Sequence, residues 1–373
     1  MKTNQAKAGG MPGPEPEAEL ERLRREIDAI DLQLLELLNQ RAQRALAIAR
    51  CKEELDLPVF VPQREAQVLQ GLERTNRGPL SPESLEGIFR SIMAACRSLQ
   101  APLRVAYLGP ELTYSHQAAL SHFGGGCRLV PRGSLDDVFE EVERGQAQVG
   151  VIPVENSTEG GVSAALDRFL ESDLTVCGEV LVPIRHCLMS AGAGLEGITT
   201  VQSHPQALAQ CRRWLRRNLP GARLVEAPST VSAARAVRNH EEAAAIASPL
   251  AAQRLGLEIL ARDIQDNPRN LTRFFIVGRI PCPPSGRDKT SLAFTLPHRP
   301  GSLHRALGLF SRRGLNLTRI ESRPTKDRPW EYAFFVDLIG HRQDSKVAAA
   351  LDELEDEVES LKVLGSYPQA GTE

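Results

Sequence analysis

The stretch NPRNLTRFFIVG, Asn267–Gly278, decides how the middle of this chain folds. Its apolar run, Phe274–Val277, contains aromatic and β-branched residues and predicts a buried strand. Asn270, Thr272 and Arg273 stand just before that run, where the strand enters the core. Two interpretations are open. The polar residues either hold an N-terminal turn through side-chain hydrogen bonds, or they line a binding site in which neighbours orient the threonine.

Further strand-like runs lie along the chain before that stretch. Several are separated by helical segments, such as Ser134–Arg144 and Gln206–Arg217, and they carry polar or glycine-rich residues at their ends. This alternation predicts an α/β layer architecture with largely parallel strands, and such sheets bind ligands at the strand ends. The runs are LRVAYLG, VGVIPVEN, LTVCGEVLVPI, ITTVQSH, AAAIAS and RFFIVG.

The first hundred residues predict helices only. Across residues 20–55 apolar residues recur every three or four positions without glycine or proline, which is typical of a long amphipathic helix in a bundle or coiled contact. Two more helical runs follow, near Gln63–Thr75 and Pro82–Leu99, and Ser81 is a suitable N-cap for the second. Residues 1–18 lack the apolar core of a secretory signal and are expected to form a disordered tail.

The C-terminal segment, residues 288–368, follows a Pro-rich linker at Ile280–Asp288. Its pattern predicts the order strand, helix, strand, strand, helix, strand. A βαββαβ order is ferredoxin-like, and modules of this kind often pair edge to edge.

Composition restricts the class of protein. The chain has 373 residues, too many for one ordinary core, so two or three domains are expected. Charged residues make up 25% and the formal net charge is -2, which argues against a non-specific nucleic-acid binder. No apolar run approaches the roughly 18–20 residues of a membrane helix. The seven cysteines include no CxxC pair, which favours free thiols in a cytoplasmic protein.

No metal or organic cofactor is expected. The cysteines and histidines lack the spacing of metal ligands. The glycine run Gly124–Gly126 has no lysine of the kind that a phosphate-binding loop requires.

Cationic residues recur on the long N-terminal helix. Arg41 and Lys52 are separated by about 16 Å along the axis and share a face, so both could contact one small anion. Arg24 is about 25 Å from Arg41 in a straight helix, and only an antiparallel second chain could bring it to the same ligand. The alternative interpretation is a set of solvated charges on a helix surface.

The segment LRREIDAIDLQLLELLNQRAQRALAIARCK…PVFVPQREAQVL…GIFRSIMAACRSLQ, within residues 19–100, resembles the all-helical chorismate mutase family. That family forms intertwined dimers in which one subunit lends an arginine to the other's site. The resemblance implies that chorismate's carboxylates bind Arg41, Arg64 and, from the partner subunit, Arg24. It also implies that Lys52 and Gln100 form hydrogen bonds with the ether oxygen and that Glu65 binds the ring hydroxyl. The pericyclic rearrangement needs a held conformer and a stabilised ether oxygen, and no nucleophile. Val61 and Cys96 depart from the family pattern.

Polar residues also follow three other strands of the α/β segment. They lie in YLGPELTYSHQAA, VIPVENSTEGGV and SHPQAL, and no catalytic triad is evident. With the TRF motif, these stretches resemble prephenate dehydratase across residues 103–280. That family has two α/β lobes, similar to periplasmic binding proteins, with substrate in the cleft between them.

The dehydratase resemblance implies specific roles. Thr272 would donate a hydrogen bond to the departing hydroxide, and Arg273 would bind a carboxylate of prephenate. Leu112 stands where the family usually has glycine. The remaining implied pocket residues are Thr113, Ser115, Asn156, Ser157, Thr158, Ser203, His204, Gln206, Asn270 and Phe274.

The C-terminal segment, with its PGSL and ESRP motifs, resembles the ACT domain of phenylalanine-regulated dehydratases. Backbone amides at the helix start would receive the carboxylate of phenylalanine. The alternative is a purely structural dimerisation module. The implied effector-binding residues are Gly301, Ser302, Leu303, Asn316, Leu317 and Glu321.

Together the three segments resemble bifunctional chorismate mutase/prephenate dehydratases, cytoplasmic enzymes of phenylalanine biosynthesis. The implied ligands are chorismate, prephenate and the inhibitor phenylalanine, with neither nucleic acid nor membrane as a partner. The implied assembly is a homodimer or a tetramer of paired dimers. Two rivals remain: a dehydratase whose helical segment only dimerises, and a non-catalytic amino-acid sensor.

Overall fold

The architecture is that of a computed structural model, which describes residues 16–55, 57–100, 102–192, 194–325 and 331–370. The chain divides into two units, Met1–Leu57 and Pro58–Glu373. Of the disordered tail expected at residues 1–18, residues 16–18 are helical, and the rest lies outside the described residues. Residues 19–100 span both units, and the domain boundaries expected from the sequence remain predictions. Within the described ranges, no helix is both long enough and apolar enough to cross a lipid bilayer.

Within its described residues, the first unit contains one helix, α1 (Pro16–Glu54), of 39 residues. It confirms the long helix predicted from the spacing of apolar residues. Many of its large apolar side chains are exposed, among them Ile27 at 57%, Leu32 at 69% and Leu37 at 60%. An exposed apolar stripe of this length is typical of a surface that another protein surface covers.

The second unit begins with two helices, α2 (Pro62–Thr75) and α3 (Pro82–Ser98). Each starts at a proline, whose fixed φ and missing N–H suit the first turn of a helix. The Ser81 side chain accepts a hydrogen bond from the Ser84 amide at 3.2 Å, which confirms the predicted N-cap.

The α/β segment forms two lobes, each built on one sheet. The first sheet has the order β2-β1-β3-β11-β5, with β4 beside β3, and the second has the order β10-β6-β9-β7-β8. The chain enters the second lobe after β5 and returns with β11. In chain order the elements are β1 (Arg104–Leu108), α4 (Tyr114–Phe123), β2 (Arg128–Arg132), α5 (Leu135–Glu143), β3 (Val149–Asn156), β4 (Gly160–Gly161), α6 (Ser163–Glu171), β5 (Thr175–Pro183), β6 (Cys187–Ser190), β7 (Thr200–Ser203), α7 (Pro205–Gln210), α8 (Arg212–Asn218), β8 (Arg223–Glu226), α9 (Thr230–Ala236), β9 (Ala243–Ala247), α10 (Pro249–Leu255), β10 (Glu258–Ala261) and β11 (Leu271–Gly278).

The strands are less parallel than the sequence pattern suggested. β1 runs parallel to β2 and β3, and β7 runs parallel to β8 and β9. However, β11 is antiparallel to both β3 and β5, and β6 is antiparallel to β9 and β10. The reason is the route of the chain: β11 comes back from the second lobe and is not joined to its neighbours by the βαβ crossovers that make strands parallel.

Strand β11 divides the core of the first lobe. Phe275 and Val277 on one face join an apolar cluster with α5, α6 and the C-terminal module, whereas Phe274 and Ile276 join a cluster on the opposite face. Successive side chains of a strand point to opposite faces. Thr272 therefore shares the face of Phe274, and Arg273 shares the face of Phe275.

The C-terminal module contains one antiparallel sheet of order β13-β14-β12-β15. One face of this sheet packs on its two helices, and the other face continues the core of the first lobe through Phe335 and Tyr367. Its elements are β12 (Asp288–Thr295), α11 (Ser302–Arg312), β13 (Leu317–Pro324), β14 (Tyr332–Ile339), α12 (Ser345–Glu357) and β15 (Ser360–Pro368). The predicted fold class is thus confirmed: helices, then a two-lobed α/β segment, then a ferredoxin-like α+β module.

Candidate active sites

Thr272 and Asn156 meet where β3 ends and β11 begins. They are cross-strand partners, and the Asn156 side-chain amide donates to the Thr272 hydroxyl oxygen at 2.9 Å. The same amide nitrogen donates to Asn270 Oδ1 at 2.8 Å. Because the Thr272 oxygen accepts this bond, its own O–H is left to donate elsewhere. This arrangement suits a group that must give a hydrogen bond to a departing oxygen.

The loop after Asn156 is fixed by its own polar groups. Asn156 Oδ1 accepts from the amides of Thr158 and Glu159, at 3.0 and 3.2 Å. Ser157 N donates to Leu271 O and Leu271 N donates to Ser157 Oγ, each at 2.9 Å. The hydrogen bonds that hold the turn also orient the threonine, and the role of these residues in a binding site stays a prediction.

Gln210, which the sequence analysis did not select, links the two lobes. From the end of α7 its Nε2 donates to Glu159 Oε1 at 2.8 Å, and its Oε1 accepts from Asn270 Nδ2 at 3.0 Å. The same Oε1 lies 3.0 Å from Nε2 of the buried His186. A signal for this residue was present, because Gln210 lies about one helical turn after the predicted Gln206.

The environment of His186 favours a neutral imidazole in this network. Burial lowers its pKa below the ordinary value, although the hydrogen bond with Gln210 partly opposes that shift. A neutral ring with its proton on Nε2 can donate to Gln210, and its Nδ1, 3.2 Å from the Tyr114 hydroxyl, is then an acceptor. The second lobe thus holds Asn270, which is a hydrogen-bond partner of Asn156.

The other predicted pocket residues lie at the start of α4, at the end of β7 and at the start of α7. Thr113 caps α4 and donates to Pro110 O at 2.9 Å, and the buried Ser203 hydroxyl donates to Ile246 O at 2.6 Å. His204 caps α7. Ser115 is buried and Gln206 is exposed. Two of the three hydroxyls are thus engaged by backbone carbonyls.

The loop after β1 also contacts the second lobe. Ser248 Oγ, at the start of α10, donates to Leu112 O in the loop after β1, at 3.4 Å. Leu112 itself has a φ of 73°, a left-handed conformation that favours glycine. This explains physically why a glycine would suit the position, and Leu112 is held there by burial in the core of the second lobe.

Arg273 points away from Thr272 and into the contact with the C-terminal module. Its Nε donates to Glu179 at 2.7 Å, Nη1 donates to Asp337, and Nη2 donates to the Tyr367 hydroxyl at 2.9 Å. Burial acts to lower the pKa of Arg273, but Tyr367, Asp337 and Glu179 raise it above its ordinary value, so the guanidinium stays charged. In this structure carboxylates of the protein engage Arg273, and its contact with a carboxylate of prephenate stays a prediction.

Phe274 is only 1% exposed and packs in the core of the first lobe. As a pocket residue, Phe274 would therefore lie behind the polar side chains and not on an open surface.

The predicted chorismate residues are divided between the two units. Arg24, Arg41 and Lys52 lie on α1, where Arg24 pairs with Glu21 at 2.7 Å. Arg64 and Glu65 lie in the first turn of α2, and Gln100 follows α3. Glu65 forms an ion pair with the buried Arg97, which also donates to Phe123 O in the first lobe. Each unit presents one part of the set, and the roles of these residues remain predictions.

The predicted effector residues occupy two places in the C-terminal module. Gly301, with a φ of 83°, begins α11, and Ser302 and Leu303 follow it. Asn316 and Leu317 lie at the start of β13. Glu321 lies about 13 Å further along β13. There it pairs with Arg319 and stands so close to Gly161 that a side chain at that glycine would overlap it.

The fold and the site together define a multidomain enzyme with a polar interlobe site and an attached regulatory-type module. Family models match the chain as chorismate mutase type II at residues 23–101, prephenate dehydratase at 105–281 and ACT domain at 290–356. The bifunctional chorismate mutase/prephenate dehydratase of Aquifex aeolicus is 46% identical over 356 residues, covering 94% of this chain and 98% of that protein. The protein of the same name from Stutzerimonas stutzeri is 45% identical, with the same coverage.

Among solved structures, prephenate dehydratase from Arthrobacter aurescens in complex with L-Phe has a TM-score of 0.67 and 38% identity. The match covers 72% of this chain and 90% of that one. The chain belongs to the bifunctional chorismate mutase/prephenate dehydratase family. The resemblances inferred from the three sequence segments are thereby confirmed.

Proposed function

We propose that the α/β segment converts prephenate to phenylpyruvate at the cleft that holds Thr272. The reaction breaks the bond to the ring carboxylate, releases carbon dioxide and sends that electron pair into the ring as the ring hydroxyl leaves. The observation that carries the proposal is the contact between the Asn156 amide and the Thr272 oxygen, 2.9 Å long. It leaves the threonine proton directed away from Asn156, to stabilise the hydroxide that departs.

The helical segment carries out the preceding step, chorismate to prephenate, in this proposal. Its support is the set of cations on α1, whose spacing fits an anion held between two chains, and the exposed apolar stripe of the same helix. Burying that stripe against a second copy would favour association, since each large apolar side chain contributes about 1.5–3 kcal/mol when fully buried. The assembly is accordingly a homodimer, in which Arg24 of one chain completes the site of the other.

The C-terminal module binds phenylalanine and lowers the dehydratase activity, as feedback on a cytoplasmic pathway. The L-Phe complex of the related Arthrobacter aurescens enzyme supports this ligand. The backbone amides at the start of α11, near Gly301, would receive the carboxylate, and Leu317 would contact the ring.

Separate assays with chorismate and with prephenate on one purified sample test the proposal. Both substrates are expected to be consumed. Thr272→Val should lower kcat for prephenate by the equivalent of about 3 kcal/mol, a typical loss for one positioned donor. Thr272→Ser, which keeps the hydroxyl, is the matched control and should retain most of the activity. Chorismate turnover should be unchanged in both variants. Normal prephenate turnover by Thr272→Val would contradict the assignment.

A further inference from the structure

The guanidinium of Arg273 lies in the contact between the first lobe and the C-terminal module. Its side chain is 8% exposed, and the acids that it contacts there, Glu179 and Asp337, are 0% and 3% exposed. Glu179 belongs to the first lobe, whereas Asp337 and Tyr367 belong to the module. Arg273 is the residue after Thr272, so a group that holds Arg273 also fixes the backbone of the candidate hydrogen-bond donor.

The cluster around Arg273 is closed and electrically balanced. Lys289 of the module pairs with Glu179 at 3.0 Å, which gives two cations for the two buried carboxylates. Ser291 donates to Asp337 Oδ1 and lies 2.6 Å from the Tyr367 hydroxyl. Together with a longer contact to Glu155, at 3.5 Å, the protein partners engage all three guanidinium nitrogens. No nitrogen of Arg273 is left without a protein partner.

A second contact from the module reaches the strand that carries Asn156. Arg319, on β13, is the cross-strand partner of Asp337 and donates to Val154 O on β3 at 3.4 Å. It also lies 3.6 Å from Glu155, the residue before Asn156. The same strand β13 starts at Leu317, within the proposed effector site. One strand pair of the module therefore touches the backbone neighbours of both Asn156 and Thr272.

We propose that Arg273 is a positioning residue through which the C-terminal module sets the geometry of the Asn156–Thr272 pair, rather than a ligand of the substrate carboxylate. Binding of the regulatory amino acid shifts β13 and β14, and Asp337 and Tyr367 transmit this shift to Arg273. The inference rests on the proposed dehydratase function and gives its regulation a physical route. A donor displaced by a fraction of an ångström loses much of its effect on the reaction, because catalysis depends on alignment.

Asp337→Asn and Tyr367→Phe test the inference from the side of the module, where neither residue is near the substrate. Each should lower kcat for prephenate roughly 10- to 100-fold, with KM unchanged within about twofold, because alignment and not binding is lost. Saturating phenylalanine should inhibit these variants much less than the wild type, while phenylalanine affinity measured by calorimetry without substrate stays the same. Tyr367→Phe, which deletes one hydroxyl, keeps the test valid where Asp337→Asn does not fold.

Thr290→Val is the matched control. Thr290 neighbours Ser291 on β12 and is fully buried, but its hydroxyl bonds Gly340 O and Ser366 and not the Arg273 cluster. It should keep normal kcat and normal inhibition. A cooperative thermal unfolding transition close to that of the wild type reports that each variant is folded. If kcat falls equally in Thr290→Val and Tyr367→Phe, the cluster contributes only to the general structure of the module, and the inference is overturned.

Arg273→Lys separates positioning from substrate binding. A lysine keeps the charge but cannot hold three partners in fixed directions. We expect a fall in kcat with little change in KM. If Arg273→Lys has a much higher KM at normal kcat, and Asp337→Asn has normal kinetics, Arg273 binds the substrate and the inference is overturned. If the wild-type protein fails to consume prephenate, the proposed function itself is overturned. If the wild type is active, and Asp337→Asn and Tyr367→Phe have the same kcat and the same inhibition as the wild type, this inference alone is overturned.

Discussion

Asn156 has two chemically different ends, and the catalytic value of Thr272 depends on which end faces it. Its amide nitrogen donates to Thr272 and Asn270, while its oxygen accepts from the loop amides of residues 158 and 159. The loop amides fix the orientation, because an amide oxygen is the only end of the side chain that can accept from them. The threonine proton is therefore free for a substrate only while an N–H group stands opposite its oxygen.

Asn156→Asp should for that reason impair prephenate turnover strongly, although the side chain keeps its size. A carboxylate opposite Thr272 would accept the threonine proton and turn the donor into a bound partner. It would also face Asn270 Oδ1 without a hydrogen to share. We expect kcat to fall by about two to three orders of magnitude, a loss similar to that of one positioned donor. Steady-state kinetics with prephenate measure this, with chorismate turnover as the internal control. Activity near the wild-type level would mean that Asn156 does not orient the threonine.

At the residue scale, the surroundings of His122 also predict that the stability of the protein depends on pH. The imidazole is half-buried beside Phe60 and Phe123, and desolvation of the ring, followed by Arg90 and Arg97, lowers its pKa well below 6.5. Below about pH 6.5 the unfolded chain takes up a proton at this site that the folded chain excludes, so the free energy of unfolding falls as the pH falls.

His122→Phe should therefore lose less stability than the wild type between pH 8 and pH 5.5. Urea unfolding at the two pH values measures the difference. The exposed His240, changed to Gln, is the control and should behave as the wild type. An equal loss in His122→Phe and the wild type would show that other groups govern the acid response.

At the scale of elements, the sequence predicts what depends on local pattern. The spacing of apolar residues gave α1, the Ser81–Pro82 pair gave the start of α3, and the βαββαβ order gave the C-terminal module. The direction of β11 did not follow, because Thr272 pairs with Asn156 across 116 positions and no local signal sets that pairing. The orientation of Arg273 could partly be predicted from the sequence, since neighbouring residues on a strand point to opposite faces. Its partner Asp337 was not, because it lies in another domain.

The cationic residues of helix α1 lead to a prediction about chorismate turnover. Arg41→Ala should abolish chorismate turnover, because a cation that holds a carboxylate is lost, and it should leave prephenate turnover largely intact. Lysine at position 41 is an informative companion, since it keeps the charge without the bidentate fork. Both activities are measured on the same sample. Normal chorismate turnover in Arg41→Ala would indicate that the cations of α1 form only a solvated surface.

The shared site extends this prediction to two chains. Arg24→Ala and Arg41→Ala are each expected to be inactive as mutases. Mixing them should restore some chorismate turnover, because a heterodimer can assemble one site with neither substitution. Subunit exchange, followed with differently tagged chains, is the necessary control. Exchange without any restored activity would contradict a site built from two subunits.

At the scale of the whole molecule, regulation must be reciprocal. If phenylalanine on the C-terminal module weakens prephenate binding in the cleft by some factor, prephenate must weaken phenylalanine binding by the same factor. The contact through Arg273 offers a direct route for this coupling, because the module and the first lobe share one apolar core and one buried ionic cluster.

The Thr272→Val chain makes the reciprocity measurable, since it is expected to bind prephenate without consuming it. Calorimetric titration with phenylalanine, in the absence and presence of saturating prephenate, should give two dissociation constants. We expect their ratio to lie within the roughly 5- to 150-fold range of typical allosteric couplings and to equal the ratio found when the two ligands exchange roles. In the double variant with Tyr367→Phe the ratio should approach one, because the module no longer holds Arg273 in a single position. A ratio of one already in Thr272→Val would mean that phenylalanine acts on the catalytic step without affecting substrate binding. Direct competition would instead appear as complete displacement of prephenate by phenylalanine, and it would place the amino acid in the cleft.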